Sequence, residues 1–288
     1  MKRSPARAAV ISQPVLDLRR APDHASELVS QLLLGEVVDV LAARDRGKWL
    51  KVRNRADGYG GWLRAWGAIE VAAPRAARWL ARARHVVAET VVRLRASHDD
   101  SDMAPLPWQA RVIVTSSSAR RSRVELPDGR RGWVPRVSLR PAGKPPVDLF
   151  DRIRSLVGVP YLWGGRSASA LDCSGFTQLV LAEQGVQLPR DAHDQFLASR
   201  ALGSREDARL GDLVFFGKAG RGQAHVGIYL GSGLFVHARG QIGFNSLDPD
   251  NVLCDNELSR QYQGIGRPPR RWRPARGKIA LTRFRQLP

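Results

Sequence analysis

A six-residue pattern, Asp-Gly-x-x-Gly-Trp, occurs twice in this chain, at residues 57–62 and again at residues 128–133. Each copy follows a short strand-like run, residues 49–53 in the first case and residues 122–126 in the second. Asp-Gly supplies the positive φ angle of a tight turn, and we expect the tryptophan to anchor the returning strand in a small core. The repeat therefore predicts two small β-structures of similar design.

Turn signals recur at intervals of roughly ten residues around both copies, which is typical of small β-barrels. We predict a first barrel within residues 1–73 and a second within residues 86–143, joined by a short helical connector at residues 74–85. Residues 30–40 of the first barrel are expected to form a strand, a turn and a strand. The patterns Leu-Gly-Glu-Val-Val, Trp-Leu-Lys-Val and Asp-Gly-Tyr-Gly-Gly-Trp resemble bacterial SH3-like domains. The second barrel shows this resemblance mainly in its last turn.

The chain has 288 residues, of which 43% are hydrophobic, and this suffices for two or three globular domains. No apolar run approaches the ~20 residues of a membrane span. The basic N-terminus lacks the apolar core of ~7–15 residues found in signal peptides, so we expect a cytoplasmic protein, with export by an unrecognised route as the alternative. The net charge of +19 favours anionic partners but does not choose among acidic peptides, cell-wall fragments and nucleic acid.

The sequence pattern changes after residue 147, where helical spacing of apolar residues replaces short strands. The predicted elements are helices at 148–157 and 173–183, a buried strand at 213–216 and a hairpin at 224–238. Helices followed by an antiparallel sheet predict an α+β domain, which we assign to residues 144–268. Residues 269–288 are rich in arginine, contain no acidic residue and are expected to form a basic tail.

Cys173 stands at the start of a predicted helix, directly after a glycine-containing loop. A helix N-terminus lowers the pKa of a thiol below its usual ~8.5 and leaves backbone N–H groups free to bind an oxyanion. His225 and His237 lie on the two strands of the predicted hairpin, where a turn near Gly231 places them on one face. The three residues thus predict a nucleophile, its base and a residue that orients the base.

Cysteine and histidine residues also form disulfides and zinc sites, and the sequence argues against both. A disulfide between Cys173 and Cys254 is disfavoured in a chain without an export signal. One cysteine and two separated histidines also lack the close spacing of typical zinc ligands. The sequence therefore predicts a reduced thiol and neither a metal nor a cofactor.

Several motifs in sequence order resemble the NlpC-type family of cell-wall cysteine peptidases, which share a papain-like core. They are Pro-Tyr-Leu-Trp-Gly-Gly at 160–165, Asp-Cys-Ser-Gly-Phe at 172–176, Leu-Pro-Arg at 188–190, Gly-Asp-Leu-Val-Phe-Phe at 211–216 and His-Val-Gly-Ile-Tyr-Leu-Gly at 225–231. The resemblance implies that Cys173 is the nucleophile, His225 the base and His237 the orienting residue. It also implies a papain-like peptidase domain of the α+β class behind two small SH3-like β-barrels.

Family members with two SH3-like domains ahead of the peptidase resemble dipeptidyl-peptidases that act on murein stem peptides. They cut between γ-D-glutamate and the diamino acid, after a free N-terminal L-alanine. The resemblance implies substrate contacts for Asp172 and Ser174 near this amine, for Tyr59 and Glu27 from the first barrel, for Tyr161 beside the oxyanion and for Arg190 with a substrate carboxylate. One departure is Ala192, where the family often has serine or threonine.

Two alternatives remain open at this point. The first is an endopeptidase that acts on polymeric cell wall, with the SH3-like domains as wall-binding modules. The second is a polyanion- or nucleic-acid-binding protein with a degenerate hydrolase domain, which the net charge of +19 favours. The presence of Cys173, His225 and His237 together argues for the peptidase, for which we expect a murein peptide as partner and no nucleic acid.

Overall fold

The computed structural model describes residues 7–96, 99–143, 148–217 and 223–269. The chain divides into two compact units. The first unit comprises Met1–Pro146 with Gly164–Ser169, and the second comprises Val147–Trp163 with Ala170–Pro288. Apart from Pro269, the expected basic tail lies outside the described residues. In the part of the chain that the structure describes, no helix has the length and apolar character needed to span a membrane.

The first seven strands form one antiparallel sheet in the order β3-β2-β6-β5-β4-β1-β7. Their bounds are β1 Arg7–Ile11, β2 Val15–Arg19, β3 Leu28–Leu33, β4 Val37–Arg44, β5 Trp49–Asn54, β6 Gly60–Arg64 and β7 Ala68–Ala72. Alternate residues point inward, and Leu18, Leu50 and Leu63 are completely buried in the core of this barrel. A helix, α1 Ala73–Arg82, follows, as the alanine- and arginine-rich connector predicts.

The next seven strands repeat this topology, with the order β10-β9-β13-β12-β11-β8-β14. Their bounds are β8 His85–Val87, β9 Val91–Arg95, β10 Asp102–Pro107, β11 Arg111–Ser117, β12 Arg121–Glu125, β13 Arg131–Pro135 and β14 Leu139–Pro141. Each strand occupies the place of the strand seven positions earlier. The repeated Asp-Gly turns connect β5 to β6 and β12 to β13, with φ angles of 77° at Gly58 and 85° at Gly129.

The expectation that the repeated tryptophans anchor the barrel cores is wrong. Trp62 and Trp133 are only half-buried and belong to neither barrel core. Their neighbours Leu63 and Val134 are buried in the two cores instead. Side chains alternate between the two faces of a strand, so inward-facing Leu63 and Val134 require outward-facing tryptophans. The buried tryptophans of this unit are Trp49 and Trp108.

The short segment Gly164–Ser169 belongs to the first unit and is held there by one arginine. The Arg166 guanidinium pairs with both carboxylate oxygens of Glu36, at 2.9 and 3.1 Å. The backbone N–H of Arg166 donates to Oε1 of Gln31 at 3.0 Å. Because both charged side chains are nearly buried, removal of either partner leaves an uncompensated charge in the interior.

The second unit contains four helices among its described residues and a six-stranded antiparallel sheet in the order β17-β22-β18-β19-β20-β21. The helices are α2 Leu149–Leu156, α3 Cys173–Glu183, α4 Ala192–Ala198 and α5 Asn256–Gln261. The sheet strands are β17 Arg200–Ala201, β18 Leu213–Gly217, β19 Gln223–Gly231, β20 Leu234–Arg239, β21 Gln241–Ser246 and β22 Tyr262–Arg267. The short strand β16 Ala170–Leu171 precedes α3, whereas β15 Arg166–Ser167 lies in the segment that belongs to the first unit. The predicted α+β class is confirmed.

Helix α3 is the central helix of this unit, and all its residues except Ala182 are buried. It packs against β19, β20, α2 and α4. A buried ion pair joins it to α2, where the Arg152 guanidinium donates to the Glu183 carboxylate at 2.7 and 3.2 Å. The segment after α2 pairs with β21, since the N–H of Ile242 donates to the Val159 carbonyl at 2.8 Å. These contacts fix the start of α3 against the sheet.

Candidate active site

Cys173 is the first residue of α3, and Asp172 caps the helix. The Asp172 carboxylate accepts the backbone N–H of Gly175 at 2.6 Å, which is the interaction that makes aspartate a favoured cap. The thiol therefore lies in the first turn, as the sequence predicted. It is buried, with 7% of the residue exposed.

Burial raises the pKa of the Cys173 thiol to about 11, and the negative charge of Asp172 adds to this rise. The backbone N–H groups of Val226 and Ser174 and the charge of Arg190 act in the opposite direction. The hydrogen bond from Val226, the residue that follows His225, shows that the sulfur lies against β19. The thiol thus keeps its proton at neutral pH until a base removes it.

His225 and His237 lie on the same face of the hairpin formed by β19 and β20. In the strand register, His237 is opposite Gly227, two residues from His225. Nε2 of His225 is 2.6 Å from Nδ1 of His237. The intervening Val226 and the facing Val236 are completely buried on the other face. The prediction that the two imidazoles are adjacent is confirmed.

A third polar side chain, Asn245 on β21, continues this line of hydrogen bonds. Its Oδ1 is 2.8 Å from Nε2 of His237, and its Nδ2 donates to the Leu253 carbonyl at 2.8 Å. Asn245 was not among the site residues expected from the sequence. Only the pairing of β20 with β21, which sets His237 opposite Gly243, reveals that a residue two positions further on shares its face. No local motif carries that information.

Burial favours the neutral form of both imidazoles. Burial and, less strongly, the nearby His237 and Arg239 together lower the pKa of His225 to about 3. Burial also lowers the pKa of His237, although its hydrogen bond with Asn245 and the charge of Asp255 oppose this. The site at rest is therefore a neutral thiol beside a neutral imidazole, and proton transfer between them creates the nucleophile.

Asp172, Ser174 and Arg190 form a buried cluster behind the thiol. The Arg190 guanidinium donates to both carboxylate oxygens of Asp172, at 3.0 and 2.5 Å, and to Ser174 Oγ at 2.9 Å. Only 1% of the Arg190 side chain is exposed. The expectation that Arg190 pairs with a substrate carboxylate is therefore corrected, because its guanidinium is buried on Asp172. Asp172 and Ser174 are likewise packed in the interior and held by protein groups.

Tyr161 lies beside this cluster, half-buried. Burial raises its pKa to about 12, and negative charge at Cys173 and Asp172 contributes to the rise, while Arg190 opposes it. The phenol hence keeps its proton and is able to donate a hydrogen bond. Seven of the nine expected site residues therefore lie in the second unit: the cysteine, the two histidines, Asp172, Ser174, Arg190 and Tyr161.

The other two expected residues belong to the first barrel. Tyr59 follows the first Asp-Gly turn, where its N–H donates to Oδ1 of Asp57 at 2.9 Å and its ring packs against the barrel core. Glu27 precedes β3 and pairs with Arg20. Among the residues that the structure describes, no group of three or more histidine, cysteine, aspartate or glutamate side chains is arranged to hold a metal ion.

Two family models match this chain. Residues 158–255 match the NlpC/P60 family, and residues 18–65 match the bacterial dipeptidyl-peptidase Sh3 domain. The second match lies within the first barrel, and the first includes Cys173, His225 and His237.

Curated relatives show the same division. A gamma-D-glutamyl-L-lysine dipeptidyl-peptidase of Bacillus cereus is 28% identical over 234 residues, which cover 75% of this chain and 68% of the relative. A probable endopeptidase p60 of Listeria welshimeri is 44% identical over 104 residues, but these cover 36% of this chain and 19% of that protein. Similarity to the first relative thus extends well beyond the peptidase domain.

The fold has a counterpart among solved structures. An NlpC/P60 family protein from Bacillus cereus superposes with a TM-score of 0.76 over 90% of this chain and 99% of its own, at 22% identity. The shared fold includes the β-rich N-terminal part and the α+β domain. Residues 158–255 are therefore an NlpC/P60 domain, and the chain is a cysteine peptidase with a papain-like domain preceded by SH3-like β-barrels.

Proposed function

We propose that this enzyme hydrolyses the amide bond between γ-D-glutamate and the diamino acid of free murein stem peptides that carry an unblocked N-terminal L-alanine. The observation that carries the proposal is the extent of the similarity to dipeptidyl-peptidases. Two relatives named gamma-D-glutamyl-L-lysine dipeptidyl-peptidase, from Bacillus cereus and Bacillus subtilis, match 75% and 73% of this chain. A first barrel that matches the dipeptidyl-peptidase Sh3 domain supports the same substrate class.

In the proposed reaction, the sulfur of Cys173 attacks the carbonyl carbon of the γ-D-glutamyl amide, and its proton passes to His225. Nε2 of His225 already faces His237, so Nδ1 is the nitrogen available to the thiol. The carbonyl oxygen becomes an oxyanion, for which the backbone N–H of Cys173 at the start of α3 and the Tyr161 hydroxyl are the proposed donors.

Collapse of this intermediate breaks the C–N bond, and His225 returns the proton to the leaving amino group of the diamino acid. The product that remains is a thioester between Cys173 and the glutamyl γ-carbonyl. Water then attacks the thioester with His225 as base, which releases L-Ala-γ-D-Glu and restores the thiol. His237 holds the ring of His225 in place throughout both steps.

The proposed base has a consequence for the pH profile. A pKa of about 3 at His225 means that its imidazole is neutral above roughly pH 4 and able to accept a proton. We expect kcat/KM to hold its value as pH falls from 7 to 5 and to decline only below this range. An acid limb centred at pH 6 to 7 would show that His225 is a normally titrating group and would contradict the geometry of a buried base.

Recognition of the free amine is the specific part of the proposal. Asp172, Ser174, Tyr59 and Glu27 are the proposed contacts for the L-alanine ammonium. Because the charge of Asp172 is already balanced by Arg190, we expect the ammonium to depend on several groups rather than on one carboxylate. The test for amine recognition is therefore a change in the substrate, since Asp172→Asn also disturbs a buried ion pair.

The experiment compares L-Ala-γ-D-Glu-diaminopimelate with its N-acetylated form, with products identified by mass spectrometry. We expect acetylation to lower kcat/KM by about 100-fold, equivalent to about 3 kcal/mol of lost amine recognition. Cys173→Ala supplies the inactive background for both peptides. Equal cleavage of the two peptides by the native enzyme would overturn the requirement for a free amine.

A second candidate is an endopeptidase on polymeric cell wall. It is favoured by two relatives named probable endopeptidase p60, which are 44% identical over 104 and 96 residues. Release of soluble fragments from isolated sacculi, together with co-sedimentation of the protein with them, would support this candidate. A cytoplasmic location belongs to the main proposal, and cell fractionation with an antibody against the chain tests it.

A further inference from the structure

The proposed mechanism requires His225 to present an unprotonated Nδ1 to the thiol. A neutral imidazole carries its single proton on either nitrogen, and the other nitrogen is then the base. The pair of histidines does not decide this by itself, because the 2.6 Å contact between them is satisfied by either ring as donor. A group outside the pair must therefore fix the direction of the hydrogen bonds.

Asn245 has an orientation that its surroundings determine. Its amide lies between His237 Nε2 and the backbone carbonyl of Leu253. A carbonyl oxygen only accepts hydrogen bonds, so the NH2 group of the amide must face Leu253. The amide oxygen consequently faces His237 and, having no hydrogen, requires a donor there.

The need for a donor at Asn245 fixes the hydrogen-bond direction at His237 and, through it, at His225. Because Oδ1 of Asn245 only accepts, Nε2 of His237 carries the proton of that ring. Nδ1 of the neutral His237 is then a lone pair and accepts from Nε2–H of His225. With its proton on Nε2, His225 has an unprotonated Nδ1. We propose that Asn245 is a positioning residue that, oriented by the Leu253 carbonyl, sets the tautomers of both histidines.

The Leu253 carbonyl, which orients the Asn245 amide, is held in place by several contacts. The Leu253 carbonyl also accepts the backbone N–H of Ser246 at 3.0 Å, and the N–H of Leu253 donates to Oδ1 of Asn251 at 3.0 Å. The loop before α5 is further tied to β20, since Arg239 pairs with Asp255 at 2.6 Å and with Glu257 at 2.7 Å. Loss of the Asn245 side chain therefore leaves Leu253 with a backbone donor and the loop in place.

The first test measures the tautomers directly. Side-chain nitrogen NMR on the full chain, with Cys173→Ala to remove the thiol proton, distinguishes protonated from unprotonated ring nitrogens in neutral imidazoles. His225→Asn and His237→Asn variants assign the signals among the six histidines. We expect Nε2–H at both rings. A proton on Nδ1 of His225 in this protein would overturn the proposal.

The second test uses variants of Asn245 in the active enzyme. Asn245→Ala should lower kcat about tenfold with little change in KM, which is the size of effect expected when an outer hydrogen-bond partner is lost. Its NMR spectrum should show a mixture of tautomers at both rings. Gln241→Ala is the matched control, because it removes an exposed amide side chain from the same strand, β21. Unchanged tautomers in Asn245→Ala would overturn the proposal, as would an equal loss of kcat in the control.

Asn245→Asp gives a pH-dependent readout that a purely structural role would not produce. A carboxylate beside His237 raises the pKa of that ring and favours its protonated form, as Asp255 already does. Burial and the charge of Arg239 act in the opposite direction. Protonated His237 donates from Nδ1, so the His225 proton must move to Nδ1 and the base is lost. We expect near-native kcat at high pH and a steep fall towards low pH, where the native enzyme stays flat. A flat profile for Asn245→Asp would contradict the tautomer mechanism.

The role of Asn245 rests on the proposed catalytic roles of the two histidines, but the experiments test the role of Asn245 and the proposed function separately. If the murein peptides prove not to be substrates, the NMR measurement still decides the tautomers in the free protein. If peptide cleavage is confirmed and His225 carries its proton on Nδ1, only the role of Asn245 fails.

Discussion

The two barrels share one strand order, yet they differ at the turn that leads into the fourth strand of each. In the first barrel this position is Gly35, whose N–H donates to the Ile11 carbonyl at 2.9 Å. In the second it is Gln109, whose N–H donates to the Val87 carbonyl at 2.9 Å. Both residues have a positive φ angle, 82° at Gly35 and 67° at Gln109.

The difference shows how a duplicated fold is adapted to its neighbour. A side chain at Gly35 would place its Cβ 2.2 Å from the Arg111 carbonyl oxygen, at the start of β11 in the second barrel. The preceding residue, Leu34, belongs to the core of the second barrel. The first barrel thus has glycine where the second barrel approaches closely. Gln109 keeps a side chain in a conformation that favours glycine, and its buried Nε2 has no hydrogen-bond partner among the described residues.

The largest effect is expected at this turn. Gly35→Ala should lower the free energy of unfolding by about 3 kcal/mol, because a left-handed conformation and a clash with a backbone carbonyl combine. The matched change Gln109→Ala should cost less than about 1 kcal/mol, since the residue is already non-glycine. Thermal and urea unfolding of the full chain measure both. Equal losses would show that the two turns are equivalent and would contradict the difference drawn between Gly35 and Gln109.

The two outward tryptophans give the next contrast within one strand. Leu63→Ala should destabilise the first barrel by about 3 kcal/mol, because Leu63 is completely buried in its core. Trp62→Ala should cost about 1 kcal/mol, because its side chain lies on the other face and is half-exposed. Urea midpoints of the two variants decide this. A larger loss for Trp62→Ala would show that the tryptophan does anchor the barrel core, as the repeat first indicated.

The turns of the repeat carry different side chains, and their functions should differ as well. Tyr59 ends the first turn, whereas Arg130 ends the second and pairs with Asp128 at 2.6 Å. If Tyr59 contacts substrate, Tyr59→Phe should lower kcat/KM about tenfold, or about 1.4 kcal/mol, without a change in the unfolding midpoint. Arg130→Ala should leave activity unchanged. Loss of activity in both variants would mean that neither turn has a specific role.

The smallest effect has the opposite sign. Gln109→Gly should stabilise the chain by about 0.5 to 1 kcal/mol, because it relieves a positive φ angle and removes an unpaired buried amide. The unfolding midpoint should rise by a few degrees at most. A lower midpoint would show that the Gln109 side chain makes a packing contribution larger than the strain it carries.

Much of the fold followed from local pattern. The Asp-Gly turns, the connector helix and the helix that begins at Cys173 all occur where the sequence indicates them, because turn chemistry and helix caps act over a few residues. The spacing of His225 and His237 around a glycine-rich turn was enough to place them on one face. The roles of Tyr59 and Glu27 rest on the family resemblance and stay predictions.

The residues that the sequence misjudged depend on contacts made far along the chain. Alternation within β6 was readable, but the face of that strand which enters the core was not, so Trp62 was placed inside. Arg190 was assigned to substrate because nothing local shows that Asp172, eighteen residues away, takes its guanidinium. Asn245 was not recognised because its partner is defined by a strand register.

Local sequence patterns were sufficient to predict where the chain turns, where α3 begins and which residue types meet at the active site. These features arise from backbone conformations and caps that neighbouring residues fix. Long-range packing fixes which side chains face inward, how Asp172 is neutralised and which nitrogen of His225 contacts His237. Register and burial depend on the whole packed sheet, and a one-residue shift of β21 would have put Asn245 on the opposite face from His237.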